Sequence, residues 1–332
     1  MTEQNKIELS QEIWKSLNLS EDWDFVRLRR KYYGGGNEIK FGGEEPGPSG
    51  YWQKVHGRAG PVPMTFLRPV IGWEKGWARS GEATVDDWSN TFNEVCRRAD
   101  WHLMQSPGHS AHERDRIKQA LERSQIPFLL RTDRSWILQG VPSWDSYFKS
   151  NTENFRDQFK KAMTKAEKNG LQAKSEISES DLRTLFSRRK LDPSVSDYTK
   201  ESVFLDFISE WLTVLKSQNR LSQVGVYSGD RLIGMAMGFW RGKTFFFYQT
   251  AYDHAFEKLS PGRMAFYRLM EETLNQGTDL FTFMNSFEYT KRYTPKFYEF
   301  HRFDIFSGNG RSKLIRAGLQ LRERLRAGSW RT

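Results

Sequence analysis

Three apolar runs joined by two very short turns dominate the second half of the sequence. The runs cover residues 223–227, 232–240 and 244–252, and the turns are Ser228-Gly229-Asp230 and Arg241-Gly242-Lys243. Turns this short join strands in antiparallel order, because a parallel connection needs a long crossover. Glycine supplies the positive φ that tight hairpin turns require. The pattern therefore predicts a three-stranded antiparallel meander.

Amphipathic helices and further strands flank this meander in the sequence. In a helix predicted at 152–169, Phe155, Phe159 and Met163 recur at the i, i+4 and i+8 positions of one face. Pro261-Gly262 is typical of a helix start, since proline at the first helical position loses no hydrogen bond. Other helices are predicted at 201–217, 261–275 and 311–326, and strands at 280–284 and 302–306. This half is therefore predicted to be mixed α/β.

The first half alternates strands and helices less clearly. Strands are predicted at 64–72, at 101–104 and, as two short pieces, within 128–141, and helices at 83–99 and 114–124. Residues 1–60 are predicted to form short helical pieces followed by loop. The triplet Gly34-Gly35-Gly36 lacks the Gly-Lys-Ser/Thr of a phosphate loop. Because 332 residues exceed the size of one usual hydrophobic core, we expect two lobes at 1–142 and 143–332.

Composition narrows the class of protein. The sequence has no run of 18 apolar residues, a polar start without an apolar signal segment, and a single cysteine, Cys96. These features predict a cytoplasmic protein without an internal disulfide. The net charge of +10 is uneven, since residues 1–140 hold 20 Lys/Arg and 19 Asp/Glu whereas residues 141–332 hold 31 and 22. A positive second half suits nucleic acid, an anionic membrane face or a polyanionic cofactor, and charge alone does not choose among them.

Three stretches of the second half resemble one superfamily. They are the basic helix at 155–170, the meander leading into Leu259-Ser260-Pro261-Gly262-Arg263, and the stretch 279–292 with Glu288, Tyr289 and Lys291-Arg292. Over residues 143–306 they resemble the GNAT acyltransferases, in particular the CelD-like (cellulose-biosynthesis-associated) branch, which is similar to the FemAB-type aminoacyltransferases of peptidoglycan. The superfamily's pyrophosphate loop, Q/R-x-x-G-x-G/A, has more than one small residue, whereas Gly262 is the only glycine in 259–264 here.

The resemblance implies an α/β protein of tandem GNAT-like lobes, the acyl-CoA N-acyltransferase fold, with a degenerate first lobe. It implies an N-acyltransferase that moves an acyl group from acetyl-CoA or a longer acyl-CoA, by direct attack, to an amine of a small-molecule acceptor. That acceptor would be a sugar, an amino acid or a cell-envelope precursor. Two alternatives stay open: a FemAB-like transferase that takes an aminoacyl group from tRNA, and a non-catalytic binder of an anionic polymer.

The sequence Ser260-Pro261-Gly262-Arg263 is the candidate cofactor site. A helix N-terminus presents free N–H groups and the positive end of the helix dipole to phosphate groups. Gly262 permits a close approach of the backbone, and Arg263 offers two parallel N–H donors. The other interpretation is an ordinary helix start with proline at its first position.

Polar residues after the fourth and fifth strands of the second half are the candidate catalytic residues. They are Asp253, His254, Glu288, Tyr289 and Lys291, with Asn285 and Tyr248 close in sequence. Direct N-acylation needs a base for the amine proton, an acid for the leaving thiolate and a cation near the developing charge. Glu288 fits the first role, Tyr289 or Tyr248 the second and Lys291 the third. No Ser-His-Asp or Cys-His arrangement indicates a covalent intermediate.

Two other patterns have simpler explanations. His109-x-x-His112 lacks the i, i+4 spacing and the glutamate of a zinc-binding helix, so no metal is predicted. The basic face of helix 152–169 and the tail 311–331, with seven Lys/Arg against Glu323, would suit RNA, including tRNA, or an anionic membrane. Solvated amphipathic faces are the commoner explanation.

Overall fold

The computed structural model describes residues 5–10, 13–14, 17, 22–34, 38–41, 49–59, 62–69, 77–78, 83–97, 101–106, 108–188, 202–284 and 288–329. The chain divides into two compact units. The first unit comprises Ser10–Asp133 and Glu299–Thr332, and the second comprises Met1–Leu9 and Arg134–Tyr298. The predicted division into lobes 1–142 and 143–332 stays a prediction.

The first unit begins with helix α1 (Trp23–Arg29), which continues into a π-helical turn (Arg30–Gly34). It then contains β1 (Glu38–Phe41), β2 (Ser49–Ala59), β3 (Val62–Pro69), β4 (Trp77–Ala78), α2 (Val85–Arg97), β5 (Leu103–Gln105), α3 (Ala111–Arg123) and the start of β6 (Phe128–Gln139). Strand β2 pairs antiparallel with β1, β3 and β4, and β3 pairs parallel with β5. Buried residues around α2, α3 and β5, among them Trp88 and Trp101, form its core.

The second unit carries the elements that later form the candidate site. They are α4 (Trp144–Ser150), α5 (Glu153–Lys168), β7 (Gln172–Lys174), α6 (Glu179–Arg188), α7 (Ser202–Ser217), β8 (Leu221–Ser228), β9 (Arg231–Arg241), β10 (Thr244–Tyr252), α8 (Pro261–Asn275) and β11 (Leu280–Thr282). Short 3₁₀ helices precede α8 (His254–Leu259) and follow β11 (Glu288–Arg292). Strand β12 (Phe297–Phe306) and helix α9 (Gly310–Ser329) then return the chain to the first unit, where β12 pairs antiparallel with β5.

The predicted meander is confirmed. Strand β9 pairs antiparallel with both β8 and β10. Gly229 and Gly242 lie in the two turns at φ 59° and 58°, the left-handed region that glycine adopts at low cost. Strand β7 pairs antiparallel with β8, β11 pairs parallel with β10, and β6 pairs antiparallel with β11. The sheet of this unit is therefore mixed.

Strands β10 and β11 stay together over only a short length. Residues 244–246 pair with 280–282, after which β11 ends while β10 continues to Tyr252. A bulge between Phe247 and Gln249 interrupts the pairing of β10 with β9, and such a bulge bends the strand and adds twist. Beyond Phe246, the edge of β10 that adjoined β11 has no further strand partner among the described residues. This leaves an opening in the sheet.

Aromatic rings hold α5 and α8 together above this sheet. Phe155 and Phe159 of α5 meet Tyr267 of α8 edge to face, with ring centroids 5.6 and 5.4 Å apart. Phe266 of α8 meets Phe247 of β10 in the same way at 4.8 Å. Edge-to-face pairs add a specific attraction to the burial of the rings. The apolar face predicted for helix 152–169 is thereby confirmed.

Several predicted elements of the remaining chain are wrong. Residues 1–60 contain strands β1 and β2 instead of loop: Trp52–Ala59 of β2 pairs antiparallel with Val62–Pro69 of the next strand, β3, and the ladder outweighs the low strand preference of the glycines in β2. The two pieces predicted within 128–141 are one strand, β6, and the strand predicted at 302–306 begins earlier, as β12. Helices α4 and α6 are not predicted at all. Gly35 and Gly36 lie outside the described residues.

The first turn of α8 lies directly against β9 at Gly234. A Cβ atom at this position would come within 2.7 Å of the Pro261 carbonyl carbon and 2.9 Å of the Gly262 nitrogen. Separations this far below the optimal van der Waals distance are repulsive. Gly234 therefore sets how closely the start of α8 approaches the sheet.

We expect Gly234→Ala to lower the free energy of unfolding by about 1–3 kcal/mol, because the added methyl group forces the start of α8 away from β9. The matched control is Gly318→Ala in α9, where an added Cβ meets no atom within 4 Å; alanine there should stabilise the helix by up to about 1 kcal/mol. Chemical denaturation of the two variants checks this prediction. Equal stability of both variants would contradict the close approach of Pro261 to β9.

Candidate active site

A cavity of about 420 Å³ lies in the second unit at the opening between β10 and β11. Its walls come from β10, from the 3₁₀ helix and the first turn of α8, from the residue that follows β11, and from residues 292–293. The lining residues are Phe247, Thr250, Tyr252, Glu257, Ser260, Gly262, Arg263, Phe266, Phe283, Arg292 and Tyr293. The cavity is thus apolar at its phenylalanines and polar at the start of α8.

Gly262, in the first turn of α8, lines this cavity, and its N–H group is left without a capping partner in the part of the chain that the structure describes. Ser260 precedes the helix in the left-handed conformation (φ 54°, ψ 45°), and its side chain makes no capping hydrogen bond. The backbone N–H groups of Arg263 and Met264 both donate to the Ser260 carbonyl oxygen, at 3.1 and 3.2 Å. Pro261 has no N–H group, and the Gly262 N–H finds no acceptor among the described residues. A helix N-terminus with an unbonded N–H group attracts anions.

Gly262 also keeps the cavity open beside β10. A Cβ atom on Gly262 would lie 3.3 Å from Tyr252 Cδ1 and 3.4 Å from Thr250 Oγ1. A larger residue would therefore crowd both side chains against the helix start. The predicted role of glycine here, a close approach of the backbone, fits this geometry.

Two cations and one carboxylate stand in the cavity wall. Arg263 has no carboxylate partner within the described part of the chain, and Arg292 belongs to the segment that follows β11. Both guanidinium groups lower the pKa of Tyr267, but burial dominates and raises that pKa overall. Glu257 pairs with His254, with Oε2 and Nδ1 2.9 Å apart. The wall therefore carries a positive excess.

Tyr252 stands in this wall as a neutral hydrogen-bond donor. Its pKa is raised above the usual value, first by burial and then by the charge of Glu257. The phenol therefore keeps its proton at neutral pH. A protonated phenol beside a helix N-terminus can donate a hydrogen bond to an anionic oxygen.

The structure brings the predicted cofactor residues together: Ser260, Gly262 and Arg263 all line the cavity. Asp253 does not line it. Its buried carboxylate pairs with Arg231, and its Oδ1 accepts a 3.0 Å hydrogen bond from the backbone N–H of Ala255. Asp253 thereby anchors the 3₁₀ helix that leads into α8. His254 contributes indirectly, through its contact with Glu257.

The predicted residues after β11 are placed only in part. Glu288 and Tyr289 lie in the 3₁₀ turn Glu288–Arg292, and their side chains, like Asn285, lie outside the described residues. The Lys291 ammonium group sits 5.8 Å from the centre of the Trp136 ring and is not part of the cavity wall. The Tyr248 ring meets Trp211 of α7 at 4.7 Å, edge to face, also away from the wall.

Sequence reasoning missed several wall residues, above all Tyr252 and Arg292. The bulge in β10 explains part of this. Phe247 and Thr250 would face opposite sides of a regular strand, because side chains alternate, yet both line the cavity. Arg292 could have been chosen from the sequence, because it is the last residue of the stretch 279–292 that resembles the superfamily.

A second cavity, of about 500 Å³, lies in the same unit and shares Tyr293 with the first. Small hydroxyl and amide groups line it, together with apolar residues and a single charged side chain, Lys296. The polar members are Gln139, Ser146, Ser150, Asn151, Thr152 and Thr294. The Tyr147 hydroxyl donates a 2.7 Å hydrogen bond to the Tyr293 carbonyl oxygen, which fixes the segment between the two cavities.

Comparisons with known proteins identify the fold. A family model described as acetyltransferase (GNAT) domain matches residues 153–292, which run from α5 to the turn that carries Arg292. No curated protein matches the sequence significantly. The chain therefore has the acyl-CoA N-acyltransferase (GNAT) fold, and the first cavity lies in the matched segment apart from Tyr293.

Solved structures share this fold at low sequence identity. FemX is 9% identical with a TM-score of 0.53, covering 90% of this chain and 96% of its own. L-PGS from Bacillus licheniformis is 9% identical with a TM-score of 0.53, covering 95% and 97%. The C-terminal domain of a protein described as a lysylphosphatidylglycerol synthetase from Agrobacterium fabrum is 10% identical with a TM-score of 0.51, covering 90% and 92%.

Among the residues that the structure describes, no helix is long and apolar enough to cross a membrane. No group of three or more His, Cys, Asp or Glu side chains in the described part of the chain could hold a metal ion. His109 is instead buried, and its backbone pairs with that of His301.

We expect Asp253→Asn to lower the free energy of unfolding by about 2 kcal/mol, because a buried hydrogen bond to a charged group is lost. The matched control is Asp279→Asn, since the Asp279–Lys243 pair is exposed at 3.8 Å and should contribute less than about 1 kcal/mol. Thermal unfolding of both variants measures the difference. An Asp253→Asn variant with wild-type stability and lost turnover would instead support a catalytic role.

Proposed function

We propose that this protein is an acyltransferase that moves an acyl group from acyl-CoA to an amine. The observation that carries the proposal is the cavity in which an uncapped helix N-terminus, Arg263 and Arg292 meet at the opening between β10 and β11. Phosphate groups are satisfied by free backbone N–H groups and by arginine. The GNAT domain match over 153–292 supports the same conclusion. The finer position in the CelD-like branch remains part of the proposal.

The positions of the charged and apolar wall residues orient the acyl-CoA donor in the cavity. Gly262, Arg263 and Tyr252 would hold the phosphate groups, so the thioester would lie toward the apolar end at Phe283. The 3₁₀ turn Glu288–Arg292 follows β11 at that end. Its last residue and the next one, Tyr293, line the cavity. The catalytic groups therefore belong to this turn in our proposal.

The proposed reaction is direct attack of the amine on the thioester carbonyl. Glu288 takes the amine proton, the carbon–sulfur bond breaks as the carbon–nitrogen bond forms, and Tyr289 protonates the leaving thiolate. Arg292, which lines the cavity, neutralises the developing oxyanion in place of the predicted Lys291, whose ammonium group faces Trp136. The single cysteine, Cys96, is not a nucleophile candidate, because burial raises its pKa to about 11 and the thiolate is the reactive form.

The second cavity suits the acceptor. Its hydroxyl and amide groups match a polyhydroxylated or amide-bearing molecule, and Lys296 is the only charged side chain in its lining. These features favour the sugar or cell-envelope precursor over a free amino acid, which carries two opposite charges. Tyr293, common to both cavities, would stand between donor and acceptor.

We expect CoA to raise the melting temperature, since a ligand that binds only the native state stabilises it. Arg263→Ala should weaken CoA binding by about tenfold, through the loss of charge-assisted hydrogen bonds to phosphate. The control is Arg268→Ala in the same helix, whose guanidinium group pairs with Glu271 at 2.7 Å. Titration calorimetry measures all three proteins. Equal affinity of both variants would remove Arg263 from the phosphate site.

We expect Glu288→Gln to lower kcat by roughly 10²–10⁴-fold, as loss of a general base does. The comparison variant is Glu257→Gln, which removes a carboxylate at the phosphate end and should leave kcat unchanged and KM for acyl-CoA equal or lower. Steady-state rates with an acyl-CoA panel and candidate amino sugars, read by mass spectrometry, test the pair. Near-full turnover by Glu288→Gln would place the base elsewhere.

Aminoacyl-tRNA is the second candidate donor. Two features favour it: the resemblance of the sequence to the FemAB-type aminoacyltransferases, and the positive charge of α5, where Lys165 donates a hydrogen bond to the Lys258 carbonyl oxygen beside the cavity. Exposed Lys160, Lys161 and Lys168 extend this positive charge along α5. Retained tRNA in the purified protein, with aminoacyl transfer but no use of acyl-CoA, would select this donor. Polyanion binding without any turnover would select the non-catalytic alternative.

A further inference from the structure

Among the described residues, helix α9 packs against the rest of the first unit through the face that carries Ile315 and Leu319. Ile315 is buried with Leu103 and Phe306, and Leu319 packs against the same cluster. The Ser312 hydroxyl donates a 2.7 Å hydrogen bond to the His102 carbonyl oxygen. These contacts fix the rotation of the helix about its axis, and so decide which residues face away from the unit.

The opposite face of α9 is apolar and exposed. Leu314 and Leu321 are 63% and 58% exposed, the largest values among the described large apolar side chains, ahead of Leu130 (39%) and Val203 (36%). The two leucines are seven residues apart and therefore share a face. Ala317 and Gly318, also exposed, lie between them. We call these four residues the outer stripe. Its exposure is unusual, because helices normally place their leucines in a core.

Cations flank the outer stripe on both sides. At 100° per residue, the exposed residues Arg311 and Lys313 fall on opposite sides of the line through Leu314 and Leu321. By the same rotation Arg322 and Arg324 fall on the two margins, whereas Arg316 and Arg326 fall toward the side of Ile315, and Glu323 is the single acid of the helix. The helix thus combines an exposed apolar stripe with basic margins.

From this arrangement we infer that α9 docks on the surface of an anionic lipid bilayer, lying in the interface with the outer stripe inserted. A basic amphipathic helix binds such a surface through apolar burial and attraction to anionic headgroups together. A second copy of this chain is a poorer occupant, because pairing two outer stripes would bring basic margins together. RNA would use the cations but not the leucines. The inference does not depend on the proposed acyltransferase activity.

The test is co-sedimentation of the full-length protein with vesicles. Wild-type protein should bind vesicles of phosphatidylglycerol and phosphatidylcholine, bind pure phosphatidylcholine much less, and lose binding as salt rises. Leu314→Gln/Leu321→Gln should weaken binding to the anionic vesicles by roughly tenfold or more, because two exposed leucines no longer enter the interface. The matched control is Leu130→Gln/Val203→Gln, which alters the other two large apolar side chains that are exposed among the described residues and should bind as wild type does.

Three results would overturn the inference. One is absence of wild-type binding to the anionic vesicles, and another is equal binding by Leu314→Gln/Leu321→Gln and wild type, which would leave charge alone as the cause. The third is a wild-type dimer in sedimentation equilibrium that Leu314→Gln/Leu321→Gln converts to monomer, since the outer stripe would then be a dimer interface. All four side chains are exposed, so melting temperatures close to that of wild type verify folding. Arg311→Gln/Lys313→Gln should reduce both the binding and its salt dependence.

Discussion

The close contact between the start of α8 and β9 is the constraint on which the candidate site depends. Because Gly234 has no side chain, the Pro261-Gly262 backbone reaches the sheet, and Gly262, with its uncapped N–H group, then lines the cavity beside Tyr252. The buried Asp253–Arg231 pair holds the preceding 3₁₀ helix at the same edge. A helix dipole acts only within its first turn, so an anion site here needs the helix placed within a fraction of an ångström.

The opening between β10 and β11 leaves space for a ligand next to the start of α8. A fully paired sheet would have no room for a ligand, since its backbone groups and side chains fill the space. The pairing stops after residues 246 and 282, and the bulge in β10 bends the strand away. Rings from α5, α8 and β10 then support the apolar wall, with Phe266 and Phe247 in direct contact. The aromatic packing of α5, α8 and β10 thus forms the wall of the cavity, and the end of the β10–β11 pairing forms its opening.

The local elements could be predicted wherever a short-range pattern decides them. The turns at Gly229 and Gly242, the proline start of α8 and the Phe155–Phe159 face of α5 each follow from a few adjacent residues. Strand β2 was missed because its own sequence, with Gly50, Gly57 and three charged or histidine side chains, contains no apolar run, although it pairs with β1, β3 and β4. The predicted cofactor residues proved to line a cavity for the same local reason: proline and glycine mark the helix start directly.

Residue types and their order were enough to establish a mixed α/β chain, a meander and a helix start suited to anions. The rest of the cavity wall, beyond Ser260, Gly262 and Arg263, was decided by tertiary structure. The bulge brings Phe247 and Thr250 to one face, the turn after β11 brings Arg292 to the wall, and Lys291 is directed to Trp136 instead. Likewise, the basic composition of α9 is visible in the sequence, but its rotation is set by Ile315 and Ser312. The physical reason is the same in these cases. The periodicity of the sequence predicts which residues share a face of a helix or strand, but only packing against residues distant in the sequence decides what that face contacts.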